Sequence, residues 1–440
     1  MKKFYIKTLG CKVNQYESDG IAAGLEEKGL VRAGREDACD VCIINTCAVT
    51  SKAGMQSRQA IRKIARDNPD ARIIVTGCHA QTDPELIREI REIDQIICHR
   101  DKDKIARCIS GGCKPEKSGP EAPFRFKKAD HGKTAKFLGF DKPVSGSMTR
   151  AYLKIQDGCD AFCTYCIVPY ARGASVSMDR TDVIRHMDGL AGKGFNEVIL
   201  TGIHTGMYGR DLDPPCTLSD LVRELDEKRP VRRVRISSIE PNEITRDLVD
   251  LAKPGHILCD HFHIPLQSGD DQILERMKRP YTAGEFSDTV QRIHTTLPFA
   301  GIGLDVLIGF PGETDAQFEN TYELVKDLPV SYLHVFPFSP RKGTPAFHFN
   351  PKVPGEVIKE RCARMRELDR QKRRAFIKKN TGRSLEALVQ HQEDDDTGML
   401  KAVTANYLTV LLEKEASLKG KIVDLVYEQG DENIVGKRVT

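Results

Sequence analysis

The stretch Asp157–Gly173, DGCDAFCTYCIVPYARG, decides the fold. It places Cys159, Cys163 and Cys166 in a C-x3-C-x2-C spacing directly after the run AYLKI, which reads as a strand. Such a loop can wrap three irons of a cubane [4Fe–4S] cluster by thiolate ligation, leaving the fourth iron without a protein ligand. That iron is open to an outside chelator such as the amino and carboxylate groups of S-adenosylmethionine (SAM), whose sulfonium bond an electron from the cluster can split. A structural zinc site is the alternative. It wants four Cys or His ligands with pairs at C-x2–4-C spacing, and no fourth ligand stands near in sequence.

Outward from this loop, the strand–helix rhythm that begins at AYLKIQDGC repeats through NEVILTG, VRRVRISSI, DHFHIPL, GIGLDVLIGF and SYLHVFPF. Helices such as TLSDLVRELDEK and DAQFENTYELVKDL lie between these strands. Serial βα units of this kind predict a partial parallel (β/α)6 barrel with its chemistry at the C-terminal ends of the strands. Upstream, from Lys3 to about Cys113, KFYIKTLG, DVCIINT and ARIIVTG alternate with the helices NQYESDGIAAGLEEKG and SRQAIRKIARDN, as in an open parallel α/β domain. Cys11, Cys47 and Cys78 each fall just after the carboxyl end of one of these three strands. Ligands bind along that edge of an open α/β sheet, so three thiolates converge there.

The intervening segment loses periodicity. It carries Pro115, Gly119, Pro120 and Pro123 with Arg125, Lys127, Lys128, Lys133 and Lys136, and reads as a linker or an RNA-facing strip. Beyond the barrel come a long basic helix from about Pro354 to Asn380 and a stretch of short alternating strands, LEALVQHQ, KAVTANYLTVLLE and KGKIVDLVYEQG, that predicts a small all-β domain. The expected division is an N-terminal α/β domain at 1–113, a basic linker at 114–144, a core at 145–375 and a β domain at 376–440.

Composition narrows the class. The chain has 440 residues, 40% apolar, 30% charged and 6% aromatic, as a folded multidomain protein has and a disordered or fibrous one has not. The opening MKKFYIKTLGC reaches Gly10 before any signal-like apolar stretch, and nowhere do about 18 apolar residues run together, which points to the cytoplasm and away from the membrane. Fourteen cysteines in such a chain indicate metal binding rather than a disulfide framework. Cys39 and Cys42 form a C-x2-C, but Cys42 sits inside DVCIINT and is expected to pack as a small hydrophobe. Cys98, Cys108, Cys113, Cys216, Cys259 and Cys362 lack companions at ligand spacing, and none of His204, His261 and His263 is assigned as a catalytic base. The net charge of +4 indicates no partner by itself, since phosphate binding depends on local patches. Two basic segments flanking one site favour RNA. The acidic end, with Glu393, Asp394, Asp395, Asp396, Glu413, Glu415, Asp431 and Glu432, shifts more of the expected phosphate contacts to the linker and the 354–380 helix.

With these residues in view, the chain resembles the methylthiotransferase family of radical SAM enzymes across nearly all its length. It shows that family's order: a three-cysteine domain, a radical SAM core and a small β domain of the TRAM type. The resemblance implies a second [4Fe–4S] cluster on Cys11 in TLGCKVNQYES, Cys47 in INTCAVT and Cys78 in VTGCHAQ. TLGCKVNQYES, the loop KIQDGCDAFCTYCIVPYARG and LTGIHTGMYGRDL resemble the branch acting on N6-threonylcarbamoyladenosine beside the anticodon of tRNA. The isopentenyl-adenosine branch usually has Gln-Met-Asn after the first cysteine and the ribosomal-protein branch Pro-Lys-Asn, whereas this chain has Lys12, Val13 and Asn14.

The implied reaction uses SAM twice. One molecule methylates a sulfur carried by the N-terminal cluster, and the other yields a 5′-deoxyadenosyl radical that removes the hydrogen from adenine C2. No flavin or nicotinamide motif is present, so a flavodoxin- or ferredoxin-like electron donor is expected, while the sulfur donor is left unassigned. By the same resemblance Thr201 and Gly202 meet the methionyl amine, and Ser237, Glu240 and Gln267 line the ribose and substrate side. Asp305, Gly309 and Pro311 lie at the fifth strand's end, and Leu304 departs from the Thr frequent in relatives. Glycine after a strand can equally be a turn, and Ser or Gln there can serve a backbone group. The rival readings are a methylthiotransferase for a ribosomal protein or another modified adenosine, and a non-catalytic RNA-binding iron–sulfur or zinc protein.

Overall fold

The structure is a computed structural model that describes residues 1–34, 37–109, 136–140, 148–429 and 434–438. The linker residues Pro115 to Lys133, Cys113, and Asp431 and Glu432 of the acidic end lie outside the described residues. The chain divides into two compact units: Met1–Gly146, Lys154–Met178 and Ser339–Phe347 form one, and Ser147–Leu153, Asp179–Phe338 and His348–Thr440 the other.

The first unit is built on five parallel strands, β1 (Lys3–Thr8), β2 (Val31–Arg32), β3 (Val41–Thr46), β4 (Arg72–Gly77) and β5 (Gln95–Ile96), in the order β2-β1-β3-β4-β5. The central β3 is buried along its whole length, so its VCIINT run is continuously apolar until Asn45 and Thr46 rather than alternating. The helices Lys12–Glu27 and Ser51–Asp67 bury Ile21, Ala22 and Leu25, and Ile61, Ile64 and Ala65. Later come β6 (Ala151–Lys154), β7 (Gln156–Asp157) and β8 (Val176–Ser177); β7 and β8 pair antiparallel in this unit, bracketing the Cys159–Cys166 loop.

In the second unit, β6 joins β9 (Glu197–Thr201) and β10 (Arg233–Ile236) in the order β10-β9-β6, and β11 (His261–Gln267), β12 (Gly301–Ile308) and β13 (Tyr332–Pro337) form a second sheet. The expected six strands are present, but between the two sheets β10 pairs with the segment ahead of β11. Val234 donates to Ile257 O at 2.8 Å and accepts from Cys259 N at 2.8 Å. The two helices expected here form as Leu218–Lys228 and Asp315–Asp327, each started by a capping box from Thr217 or Thr314.

The C-terminal strands β14 (Ser384–Glu393), β15 (Leu400–Thr404), β16 (Thr409–Leu412), β17 (Ile422–Gln429) and β18 (Ile434–Arg438) close into a barrel, β14-β15-β16-β18-β17. Ala387, Val389, Leu400, Ala402, Val410, Leu412, Leu425 and Tyr427 fill it, with Phe376 and Ile377 of the long helix packed against them. The ring closes at the pairing of β16 with β18.

That helix, Gly355–Asn380, is less available to phosphates than its charge suggests. Arg361 is buried on Glu313 and Asp315, Arg364 pairs with Glu319, Arg370 with Glu367 and Arg373 with Asp369, and Lys372 caps the carbonyls of Lys326 and Leu328. Five of the helix's ten lysines and arginines thus have partners within the fold. Among the described residues no helix is long and apolar enough to cross a membrane.

A buried ion cluster ties the barrel to the core of this unit. Glu197 accepts from Arg233 Nε at 2.7 Å and Arg235 Nε at 2.9 Å, and the two guanidinium groups donate onward to the carbonyls of Val403, Thr404 and Ala405. Burial alone would raise the Glu197 carboxyl; Arg235, Arg233 and Arg150 override it and bring it down to about 2. Because the folded value lies below the unfolded 4.5, this stabilisation is complete above about pH 4.5 and is lost as pH falls toward 2. Urea unfolding at stepped pH, followed by far-UV circular dichroism, is expected to show stability falling through that window, and the Glu197→Gln protein a shallower fall.

Candidate functional site

Three sheet edges supply three thiols in the first unit. Cys11 precedes the helix Lys12–Glu27, Cys47 follows β3, and Cys78 opens the helix Cys78–Thr82 directly after β4. Gly10 adopts φ +101°, and a Cβ there would stand 2.8 Å from Cys47 Sγ, so only glycine lets the Cys11 turn close over Cys47. Asn14 clasps both turns: its Nδ2 donates to Leu9 O at 2.7 Å and to Thr46 O at 3.1 Å. Ser57 holds the Cys47 backbone from both sides at 3.3 Å, and Thr46 Oγ1 bridges to Thr76 O and Ala80 N around Cys78. Burial, then the neighbouring Cys78 and Cys11, push the Cys47 thiol up to about 11, while Arg172 pulls it down. Desolvation also raises the Cys11 thiol, against the pull of Arg172.

The second set of thiols lies on the loop between β7 and β8. Gly158 turns the chain at φ +71°, and a Cβ there would stand 1.9 Å from the Ala174 carbonyl oxygen, a backbone atom with no room to move. Cys159 N donates to Gly173 O at 3.0 Å and Cys166 N to Cys163 O at 2.9 Å, while Gln156 Nε2 spans the carbonyls of Asp157 and Gly158, each at 2.9 Å. Phe162 takes φ +46° and meets Tyr170 edge-on at 5.7 Å. In iron-loaded protein, Gly158→Ala is expected to reduce iron at this loop to less than half of the parent's, because the loop's closure on Gly173–Ala174 would open; unchanged iron per chain would contradict the strain argument.

Sequence reasoning left unassigned the charges that join these two sets. Arg172, buried at the end of the helix Val168–Arg172, donates through Nη1 to Asp157 Oδ1 at 2.8 Å and Glu17 Oε1 at 3.0 Å, and through Nη2 to Asn14 Oδ1 at 2.6 Å. Lys154 Nζ reaches Glu17 and Asp157 at 3.1 and 2.8 Å, and Lys102 Nζ reaches Glu17 at 2.5 Å. Burial alone would raise Glu17 and Asp157; Arg172 with Lys102 and Lys154 holds Glu17 well below the usual carboxylate range, and Arg172 with Lys154 does so for Asp157. His99, 3.4 Å from Asp157, is driven by burial and by the cations Arg172 and Lys102 down to about 4 and is neutral at pH 7. Next to Arg172, Ala171 packs with Ile167, Ala48 and Cys78 itself. The available signal was polar spacing: Asn14 and Glu17 sit at i and i+3 on a face the helix buries.

In the second unit the remaining site residues take up several positions. Thr201 ends β9 and Gly202 follows it; Ser237 follows β10, its N donating to Leu200 O at 3.0 Å. Ser237 Oγ is buried without a hydrogen-bond partner among the described residues. Glu240 is engaged by Arg279 and buried, and that burial raises its carboxyl against the pull of Arg279. Gln267 ends β11 at φ +65°, where the pairing with β12 shifts register. Asp305 corrects the expectation. It lies within β12, not at its end, because the apolar Val306–Ile308 continue the ladder with β13, and Gly309 is the first residue beyond. Its Oδ1 accepts from His263 Nε2 at 2.9 Å and faces His334 Nδ1 at 3.3 Å, while Tyr332 Oη bridges His261 and His263. His204 pairs with Glu243 at 3.0 Å. Cys42 is fully buried, and its Sγ lies 3.0 Å from that of Cys39.

Residues 3–99 match the model of "uncharacterized protein family UPF0004" and residues 153–325 that of the radical SAM superfamily. The threonylcarbamoyladenosine tRNA methylthiotransferase MtaB of Bacillus subtilis is 38% identical over 94% of this chain and 91% of its own length. The protein of the same name from Aquifex aeolicus is 35% identical, over 96% and 99%. A tRNA-2-methylthio-N(6)-dimethylallyladenosine synthase of Protochlamydia amoebophila is 31% identical, over 93% and 90%. In fold, the chain is similar to the radical S-adenosylmethionine methyltransferase TsrM of Kitasatospora setae, with TM-score 0.57 and 16% identity over 79% of this chain and 77% of that one.

Proposed function

The chain belongs to the MtaB-like methylthiotransferase family of radical SAM enzymes, and from that premise we propose that it replaces the C2 hydrogen of N6-threonylcarbamoyladenosine at position 37 of tRNA with a methylthio group. The observation that carries this reading is that one compact unit holds two three-cysteine sets joined by a single buried guanidinium.

The donors suit two [4Fe–4S] clusters. Each set offers three thiols on backbone fixed by turns that only glycine can make, and around Cys47 burial and mutual repulsion keep the thiol protonated until a cationic metal takes the proton's place. Cys159, Cys163 and Cys166 would hold the cluster that meets SAM, and Cys11, Cys47 and Cys78 the auxiliary one. When bound, these groups supply reductive cleavage of a sulfonium and a sulfur for transfer. The protein's own residues orient and desolvate. Thr201, Gly202, Ser237, Glu240, Gln267 and Asp305 are assigned to SAM and the nucleoside, Ser237 having a buried hydroxyl to give and Asp305 a carboxylate held ionised by two imidazoles. We assign the auxiliary site to 1–113, the radical SAM core to 145–375 and a TRAM-type domain to 376–440, across the linker 114–144. The substrate region is the anticodon stem-loop, the electron donor is flavodoxin- or ferredoxin-like, and the compartment is the cytoplasm.

Nucleoside mass spectrometry of tRNA from cells with and without the protein tests the substrate. Loss of the methylthio form of threonylcarbamoyladenosine, with its unmethylthiolated parent accumulating, is expected. An unchanged nucleoside, or loss only of the methylthio form of the dimethylallyl nucleoside, overturns the assignment.

A further inference from the structure

The buried network around Arg172 is unbalanced. Among the described residues, Lys102, Lys154 and Arg172 face two carboxylates, Glu17 and Asp157, and His99 is neutral, so this network holds one more positive charge than negative. An uncompensated buried charge is costly unless an anion lies near. Asn14 accepts from Arg172 Nη2 at 2.6 Å and gives its own amide to Leu9 and Thr46, the carbonyls leading into the Cys11 and Cys47 turns. Ala171 packs on Cys78, and Gly173 O receives Cys159 N. The guanidinium is therefore one hydrogen bond from the clasp of one cysteine set and one peptide bond from the anchor of the other. The electrostatic partners of Arg172 include Cys78 and Cys11 beside Asp157 and Glu17.

We infer that Arg172 is a positioning residue for the three-cysteine site of Cys11, Cys47 and Cys78, and that its unmatched charge raises the reduction potential of the group held there. The inference rests on the cluster assignment above. Three thiolates on an iron–sulfur cube carry net negative charge that grows when the cube takes an electron, and net charge and hydrogen bonding set such potentials. A fixed cation in a low-dielectric interior favours the reduced form, and a fixed carboxylate opposes it. Arg172 and Glu17 should thus shift the potential in opposite senses, which damage to the scaffold would not do.

The test uses the full chain carrying Cys159→Ala, Cys163→Ala and Cys166→Ala, so that only one cluster remains, reconstituted with iron and sulfide and titrated electrochemically with detection by electron paramagnetic resonance. In that background Arg172→Gln is expected to make the potential more negative, Glu17→Gln more positive, and Arg172→Lys to fall between Arg172→Gln and the parent. Where Arg172→Gln fails to retain iron, the sign of the Glu17→Gln shift decides. Equal potentials, shifts in the same direction, or loss of iron from both single-charge variants overturns the inference while leaving the cluster assignment intact. Absence of any cluster from the Arg172-containing parent overturns the assignment itself.

Discussion

Replacing Cys159, Cys163 and Cys166 together with alanine is expected to remove about four irons per chain and all reductive cleavage of SAM, while about four irons stay on Cys11, Cys47 and Cys78. Under the proposed assignment both losses have one cause: the loop's three thiols would hold the cube and leave its fourth iron for SAM. Iron and sulfide analysis of anaerobically reconstituted protein, with chromatography of 5′-deoxyadenosine after dithionite reduction, checks it. Persistent 5′-deoxyadenosine would assign the radical chemistry elsewhere. A full complement of iron would show that the loop does not bind the cluster. Zinc in place of iron would revive the structural-metal reading.

Glu197→Gln is expected to cost about 3–5 kcal/mol, because it removes the carboxylate that accepts from both buried guanidinium groups. Arg233 and Arg235 carry the barrel's attachment through Val403, Thr404 and Ala405, so the damage should be concentrated there. Hydrogen exchange in β15 should accelerate by two to three orders of magnitude, on the order of what that energy implies when local opening governs exchange. Exchange in β1, β3 and β4 of the other unit should stay at the parent rate. Uniform acceleration, or none in β15, would show that the cluster does not tether the barrel.

The features legible in the sequence were those written in local pattern. The positions of Cys11, Cys47 and Cys78 could be read because each follows a short strand-like run, and the capping boxes at Thr217 and Thr314 mark their helices within four residues. Alternation in LEALVQHQ and KAVTANYLTVLLE likewise marks a half-buried β surface, though not its closure, which depends on the single pairing of Leu411 with Val435. The two-residue strands β2 and β5 carry too little pattern to be seen. Arg172, Glu17, Lys102 and Lys154 escaped for a different reason. A charged residue reads as solvent-facing until its partners are known, and these partners lie up to 155 residues apart. In the same way, sequence did not show that Arg361 and Lys372 of the 354–380 helix are bound into the fold.

The first unit is assembled from three separated stretches of chain, which has a consequence for synthesis. Glu17 and Lys102 leave the ribosome well before Lys154 and Arg172 exist, and the Ser339–Phe347 stretch comes later still. At roughly 5–20 residues per second, the nascent α/β sheet waits on the order of ten seconds for Arg172 and longer for its last segment. During that interval Glu17 has Lys102 but not the cations that complete its burial, so the cysteine turns clasped by Asn14 are held by an unfinished interior. Until Arg172 is made, the interior behind the Cys11, Cys47 and Cys78 turns lacks the guanidinium that joins Asn14, Glu17 and Asp157.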